Sequence, residues 1–236
     1  MKNKKWIALA AAVVLAVTAL PMGVFAAKKD STEEKLTKVT LNEVAHSIFY
    51  APQYVAIEEG YFAEKGLDLT LVTGFGADKT MTAVISGEAD IGFMGAEASV
   101  YAYQEGATDP VVNFAQLTQR AGNFLVAREE MPDFKWEDLK GEKVLGGRKG
   151  GMPEMVFEYI LKKNGIDPQK DLTIDQSVDF GSTAAAFTSD DSAAYTVEFE
   201  PSATILEKEG AGYVVASLGE ASGYVHIHPT VQKQAT

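Results

Sequence analysis

The sequence predicts an α/β protein built on mostly parallel sheets, with helices against both faces. Strand-like and helix-like segments alternate along most of the chain, an order that lays successive strands side by side and in one direction. Glycine-rich turns stand after several of those strands and before the helices that follow them. Hydrophobic residues make up 46% of the 236 residues and cysteine is absent. Burial alone must therefore hold the chain together, in two modest lobes or one larger domain.

The elements follow in order. Lys2, Lys4 and Lys5 precede an apolar run from Trp6 to Leu20, which gives way to Val24-Phe25-Ala26. Residues 1–26 thus read as an export signal, cut after Ala26. The run is short for the roughly 20 residues that a bilayer span requires, so the mature chain is expected to be soluble. Residues 27–37 form a charged linker. Val39 and Leu41 alternate with polar neighbours as a strand, and Pro52 suits the first turn of a helix that carries Tyr54, Ile57, Glu58 and Tyr61 at helical spacing. Gly60 and Gly66 bracket its exit, and Leu67, Leu69 and Leu71 alternate as the next strand. A Gly74-Phe75-Gly76 turn leads to a helix from Asp78 to Ser86, a strand from Ile91 to Met94, a helix from Ala98 to Glu105 and a strand from Val111 to Leu117. The second set has strands from Phe124 to Ala127 and from Lys143 to Leu145, then a helix from Pro153 to Asn164 that Gly165 ends. It closes with a strand from Ala194 to Val197, a helix from Pro201 to Gly210 and a strand from Gly212 to Ser217.

Charge narrows the function. The formal net charge is -12, and removal of Met1 to Ala26 takes three lysines and no acids, leaving 18 minus 33, or -15. A strongly acidic exported chain is a poor partner for nucleic acid or anionic lipid. It holds no GxSxG elbow, no phosphate-binding GxxxxGK[ST], no HExxH and no cysteine nucleophile. No metal or cofactor is expected: His226 and His228 are two residues apart, and the third histidine, His46, is far off in sequence.

Four turns occupy equivalent places, each after a strand and before a helix: His46 to Tyr50, Gly74 to Ala77, Gly95 to Glu97, and Gly146-Gly147-Arg148-Lys149-Gly150-Gly151. In an open α/β sheet, ligands settle beyond the carboxyl ends of the strands, where such turns gather. The last turn reads either as a flexible connection or as an anion cradle, because the helix beginning near Pro153 offers unpaired N–H groups and a positive dipole end. Taken singly, His46, Phe49 and Tyr50 also fit structural roles.

The stretches "AIEEGYFAEKGLDLTLV", "AVISGEADIGFMG", "WEDLKGEKVLGG", "YILKKNGIDPQKDL" and "EFEPSATILEKEG" resemble, in order and spacing from Lys38 to about Val225, the binding proteins of ABC importers for nitrate, sulfonates, taurine and the thiamine pyrimidine precursor. The resemblance implies a two-lobed type II periplasmic-binding fold that closes on a small solute, without metal or cofactor, and docks as a monomer on the permease subunits in the membrane. Residues 38–117 would form the N-terminal part of lobe 1, 118–217 lobe 2, and 218–236 the return hinge and an aberrant tail. Val111 to Asn123 and Tyr213 to Gly223 would be the hinge. Carried over residue by residue, the cleft would be lined by His46, Ser47, Phe49, Gly74, Phe75, Gly76, Gly95 and Ala96 from the first lobe. Gly150, Gly151, Met152 and the Phe199-Glu200-Pro201 stretch would line it from the second. Glu200 would either face an amine or pyrimidine N–H of the solute or cap its own helix.

The resemblance extends to a desulfinase and a pyrimidine synthase, both dependent on cysteine, so this cysteine-free chain is expected to be no enzyme. Gram-positive members of the family carry a lipid-modified cysteine after the signal. Here "GVFAAKK" stands in its place, and the protein is expected free in a periplasm or outside the cell rather than lipid-anchored. Relatives return to the first lobe with a segment resembling Val-Pro-Tyr-Thr, whereas this chain ends in "GYVHIHPTVQKQAT". One nucleotide restored ahead of His226, with suitable codons, turns the tail into Pro-Tyr-Thr-Pro-Tyr-Ser-Ala-Lys. The tail is therefore expected to come from a frameshift, leaving a truncated receptor with an incomplete first lobe.

Overall fold

The computed structural model describes residues 35–108, 111–179, 181–223 and, as backbone, 227–233. The export signal, most of the linker, His226 and the side chain of His228 lie outside the described residues. Twenty elements in all, two of them 3-10 turns, build two five-stranded sheets from the described chain.

The first sheet contains β1 (Thr37–Glu43), β2 (Leu67–Thr73), β3 (Ile91–Phe93), β4 (Val111–Thr118) and β10 (Ile227–Lys233), in the order β2-β1-β3-β10-β4. The second contains β5 (Asn123–Ala127), β6 (Lys143–Leu145), β7 (Thr173–Asp175), β8 (Tyr195–Phe199) and β9 (Tyr213–Ser217), in the order β7-β6-β8-β5-β9. Helices α1 (Ala51–Glu58), α2 (Tyr61–Glu64), α3 (Ala77–Ser86) and α4 (Glu97–Gln104) serve the first sheet. The second is served by α5 (Met152–Lys163), α6 (Thr183–Ser189), α7 (Ser202–Lys208) and α8 (Leu218–Ser222).

Each sheet departs from the parallel expectation at one strand, and the same topology explains both. β1 runs parallel to β2 and β3, and β6 runs parallel to β7 and β8. β5 is antiparallel to β8 and β9, and β10 is antiparallel to β3 and β4. These two are the strands that follow a crossing between sheets. A chain that leaves one sheet at the carboxyl end of a strand enters the other from that same end, so its next strand must run away from the gap.

The crossings are shorter than the sequence suggested. Val111–Thr118 and Tyr213–Ser217 pair as ladder strands, which leaves residues 119–122 as the outward link. Residues 218–222 belong with the second sheet, because Leu218 is wholly buried in the core cluster that holds Leu125 and Ile160. At Gly219 a Cβ would lie 2.4 Å from the Ala121 carbonyl oxygen, so α8 packs against the outward link as only glycine allows. The tail, for which the sequence offered no strand, enters the first sheet as β10, with a register shift between Thr230 and Val231.

Local chemistry sets these elements. In α5, Pro153 stands in the first turn with Glu154, and Lys162 and Lys163 close the last, matching the helix dipole. Its Val156, Phe157, Ile160 and Leu161 bury one face against Leu125, Val144 and Val197. Leu125 and its neighbour Val126 point to opposite faces, and Val126 packs with Phe187, Ala203 and Leu206 from α6 and α7. A separate core of Leu41, Tyr50, Met81, Val84, Phe93 and Met94 holds the first sheet.

Candidate functional site

A cavity of about 60 Å³ lies where the two sheets face each other, roughly the room of four water molecules. Ala45, His46 and Ser47, which follow β1, form one wall, and Asn123, Gly147, Pro153, Thr183 and the run from Val197 to Ser202 form the other. Ser47 Oγ donates to the Glu200 carbonyl oxygen at 3.0 Å, tying the two walls together.

On the first wall, Glu43 at the end of β1 is wholly buried and organises the turn. Its carboxylate accepts from Gln53 Nε2 (3.0 Å), the Tyr54 hydroxyl (2.9 Å) and the Thr73 hydroxyl (3.1 Å). It also holds His46 Nδ1 at 2.9 Å, while the His46 ring lies 4.4 Å from the ring of Tyr54. The imidazole is thereby fixed at the cavity rim.

On the second wall, Glu198 is 2% exposed and accepts from the hydroxyls of Thr196 (2.6 Å) and Thr183 (3.0 Å). Burial pushes its carboxyl up to about 7, with both threonine hydrogen bonds opposing the shift. Asn123 Nδ2 is buried and has no hydrogen-bond partner among the described residues. The wall therefore holds a donor in want of an acceptor at Asn123, while Glu198, paired across the ladder with Phe124, stands on the other face of the same two strands.

The structure places the sequence-predicted residues in three groups. His46, Ser47 and Glu200 line the cavity. The Glu200 carboxylate accepts from the Thr204 N–H (3.1 Å) and hydroxyl (2.9 Å) in the first turn of α7. Phe49 sits beside the cavity at the outward link, 6.0 Å from Phe199 between ring centroids, and its ring fills the space a Cβ on Gly122 would need.

Gly74, Phe75 and Gly76 form the second group. A Cβ on Gly74 would come 2.6 Å from Asn42 Oδ1, so that glycine serves packing. Phe75 takes a left-handed φ of 59° and is half exposed. A Cβ on Gly76 would come 2.9 Å from Arg148 Nε. Arg148 binds Asp78 in bidentate fashion, at 3.0 and 2.7 Å, and also pairs with Asp179. The guanidinium holds the Asp78 carboxyl below its ordinary range and links α3 to the turn before α5.

In the third group, Gly95 and Met152 approach the carboxylate of Glu97, with Ala96 between Gly95 and Glu97 in the turn, and Gly150, followed by Gly151, stands against Tyr101 of α4. The Glu97 side chain folds back over Gly95, where a Cβ would come 2.0 Å from one oxygen and 2.2 Å from the other. Burial pushes the Glu97 carboxyl up to about 7, and the backbone N–H groups of Glu97 and Met152 oppose the shift. Neither N–H completes a hydrogen bond of normal geometry to it.

Sequence reasoning passed over Glu198 and Thr183, and named Asn123 only as the end of the hinge segment and Glu97 only as the end of a turn. A signal for Glu198 was present: "AYTVEFE" reads as a buried strand with a carboxylate in its middle, and such a residue needs partners or a function.

Two α/β sheets joined by crossings, with strand ends converging on a cavity between them, define the type II periplasmic-binding fold. The pattern of the NMT1/THI5-like family matches residues 48–222, and the chain belongs to that family. It is 52% identical over 211 residues to YtlA of Bacillus subtilis (strain 168), named as a candidate binding protein; the match covers 89% of this chain and 63% of YtlA. Among solved structures, it is similar to the alkanesulfonate-binding protein SsuA from Xanthomonas axonopodis pv. citri bound to MOPS, with TM-score 0.66, 18% identity, and 84% and 65% of the two chains covered. It is also similar to the periplasmic nitrate-binding protein NrtA from Synechocystis PCC 6803, with TM-score 0.67, 18% identity, and 84% and 56% covered. The chain thus spans under two thirds of the length of these relatives.

Proposed function

We propose that this chain is the exported solute-binding component of an ABC importer. It captures a small anionic or polar solute, of the size of nitrate, taurine, an alkanesulfonate or a pyrimidine, between its two lobes and hands it to the permease. The observation that carries this reading is the cavity between the sheets, whose lining includes the unpartnered Asn123 amide. A buried donor without an acceptor is costly, and a solute oxygen or ring nitrogen would satisfy it. The short outward link supports closure by rotation about residues 119–122. The solutes named for SsuA and NrtA support the class of small oxyanion-like ligands.

Thermal-shift screening of the full chain against nitrate, taurine, alkanesulfonates and pyrimidines tests the reading. Stabilisation by at least one of them is expected. Stabilisation only by amino acids or sugars would overturn the assignment.

A further inference from the structure

Two ion pairs join the two sheets among the described residues, and they belong to one row of alternating charge. Asp78 and Lys79 stand in the first turn of α3, which follows β2 of the first sheet. Arg148 stands in the turn between β6 and α5, and Asp179 in the turn between β7 and α6, both in the second sheet's half. Arg148 holds Asp78 at 3.0 and 2.7 Å, Lys79 reaches Asp179 at 3.5 Å, and Arg148 also pairs with Asp179 on its own side. The row therefore runs Lys79, Asp179, Arg148, Asp78, each charge facing its opposite. Every other ion pair among the described residues stays within the elements of one sheet.

The topology gives this row leverage. The outward link, residues 119–122, joins β4 to β5. β4 is one edge of the first sheet and β2 the other, while β7 and β6 stand in the second sheet on the side away from β9. The ion pairs thus lie at the edges far from the link, and the cavity, walled by the turn after β1 and by β5 and β8, lies between. The order β2-β1-β3-β10-β4, at about 4.8 Å per strand, puts β2 roughly 19 Å from β4. A rotation of about 15° about the link would part a pair at that distance by about 5 Å, which breaks it. The row is also open to water: the Asp78 side chain is 59% exposed and that of Lys79 47%, so dissolved ions reach it. Where the guanidinium passes over to α3, a Cβ on Gly76 would crowd both Arg148 Nε and Asp78 Oδ1.

We propose that Lys79, Asp179, Arg148 and Asp78 form a latch that holds the cleft closed before any solute binds, so that parting these pairs is a step in opening it. The inference rests on the closure by rotation proposed above. Exposed pairs are individually weak, and the bidentate pair stands at the strong end. Together the two crossing pairs are expected to shift the ratio of closed to open forms by about three- to tenfold.

The test uses the full chain, whose lack of cysteine leaves two introduced thiols as the sole labelling sites. Tyr61→Cys and Tyr159→Cys, at exposed positions of α2 and α5, carry one spin label each, and pulsed dipolar spectroscopy reads the distance between them without solute. Asp78→Asn together with Lys79→Gln breaks both crossing pairs, leaves Arg148 with Asp179, and keeps the net charge. In about 20 mM salt this double variant is expected to lower the ratio of closed to open distances by about three- to tenfold, and 0.5 M salt is expected to shrink the difference below about twofold. Asp78→Glu, which keeps the charge, is expected to retain the closed population, and Asp78→Asn alone gives the comparison if the double variant does not fold. Matching distances for the unsubstituted chain and the neutral variants in low salt overturn the inference, as does a difference that 0.5 M salt leaves intact or that Asp78→Glu reproduces in full. If nitrate, taurine, ethanesulfonate or a pyrimidine still shortens the distance in that event, the failure is this inference's alone. If no solute and no variant moves it, closure is overturned as well, and the receptor reading with it.

Discussion

Replacing Glu198 with glutamine should flatten the pH dependence of folding stability. In the folded chain, burial raises the Glu198 carboxyl from 4.5 to about 7, while in the unfolded chain it returns to its ordinary value. Between those two values the folded state binds more protons than the unfolded state, so stability falls as pH rises through the window and is fully lost above it. A shift of this size, at 1.36 kcal/mol per pH unit, corresponds to about 2.5 kcal/mol lost between pH 5 and pH 8 from this one group. Glutamine fills the same volume without a charge to desolvate, its Oε1 accepting from one threonine hydroxyl while its Nε2 donates to the other. Urea unfolding at pH 5, 6, 7 and 8, at constant ionic strength, should show Glu198→Gln gaining about 2.5 kcal/mol on the unsubstituted chain across that range. A difference between the two proteins that stays constant to within about 0.5 kcal/mol would refute the argument that burial holds this carboxyl neutral.

Other expectations follow from the same contacts. Arg148→Ala and Asp78→Ala should show a coupling of about 1 kcal/mol in a double-mutant cycle, small because Asp78 is largely exposed, and 0.5 M salt should shrink it. Phe157→Ala should cost about 3–5 kcal/mol in urea unfolding, since the ring is wholly buried in the second-sheet core, whereas Tyr159→Ala, half exposed on the same helix, should change stability by less than about 1 kcal/mol. Asn123→Leu removes the orphaned donor, so the melting temperature should hold or rise while affinity for the best solute in the screen falls about tenfold or more.

Much of the architecture was legible because apolar spacing marks elements that bury a face. Leu67, Leu69 and Leu71 alternate as β2 does, and Val156, Phe157, Ile160 and Leu161 share the buried side of α5. What escaped was short or weakly patterned. β7 has only three residues, one of them an aspartate, and α6 buries only Thr183 and Phe187, so neither carries a readable period. β10 contains Pro229, which cannot donate to a ladder, and its pairing comes from the topology of the return rather than from its composition.

For the site, the turns after strands located the gap but not the groups that matter within it. His46 and Ser47, which follow a strand directly, line the cavity. At Gly74 and Gly95 a Cβ would crowd Asn42, Thr80 and Glu97, a packing demand that the turn pattern alone does not show. Asn123 and Glu198 were hidden inside strands, where polar residues are usually taken to face solvent. Their surroundings form only once β5 and β8 pair, with Asn123 opposite Phe199 and Glu198 opposite Phe124.

A crystal structure of the chain with its tightest binder from the screen tests the central claim most directly. The solute is expected between the two sheets, within hydrogen-bonding distance of Asn123 Nδ2 and in contact with the turn at His46 and Ser47. A solute seated on one sheet alone, or in the separate hollow between Phe49 and Leu117, would contradict it.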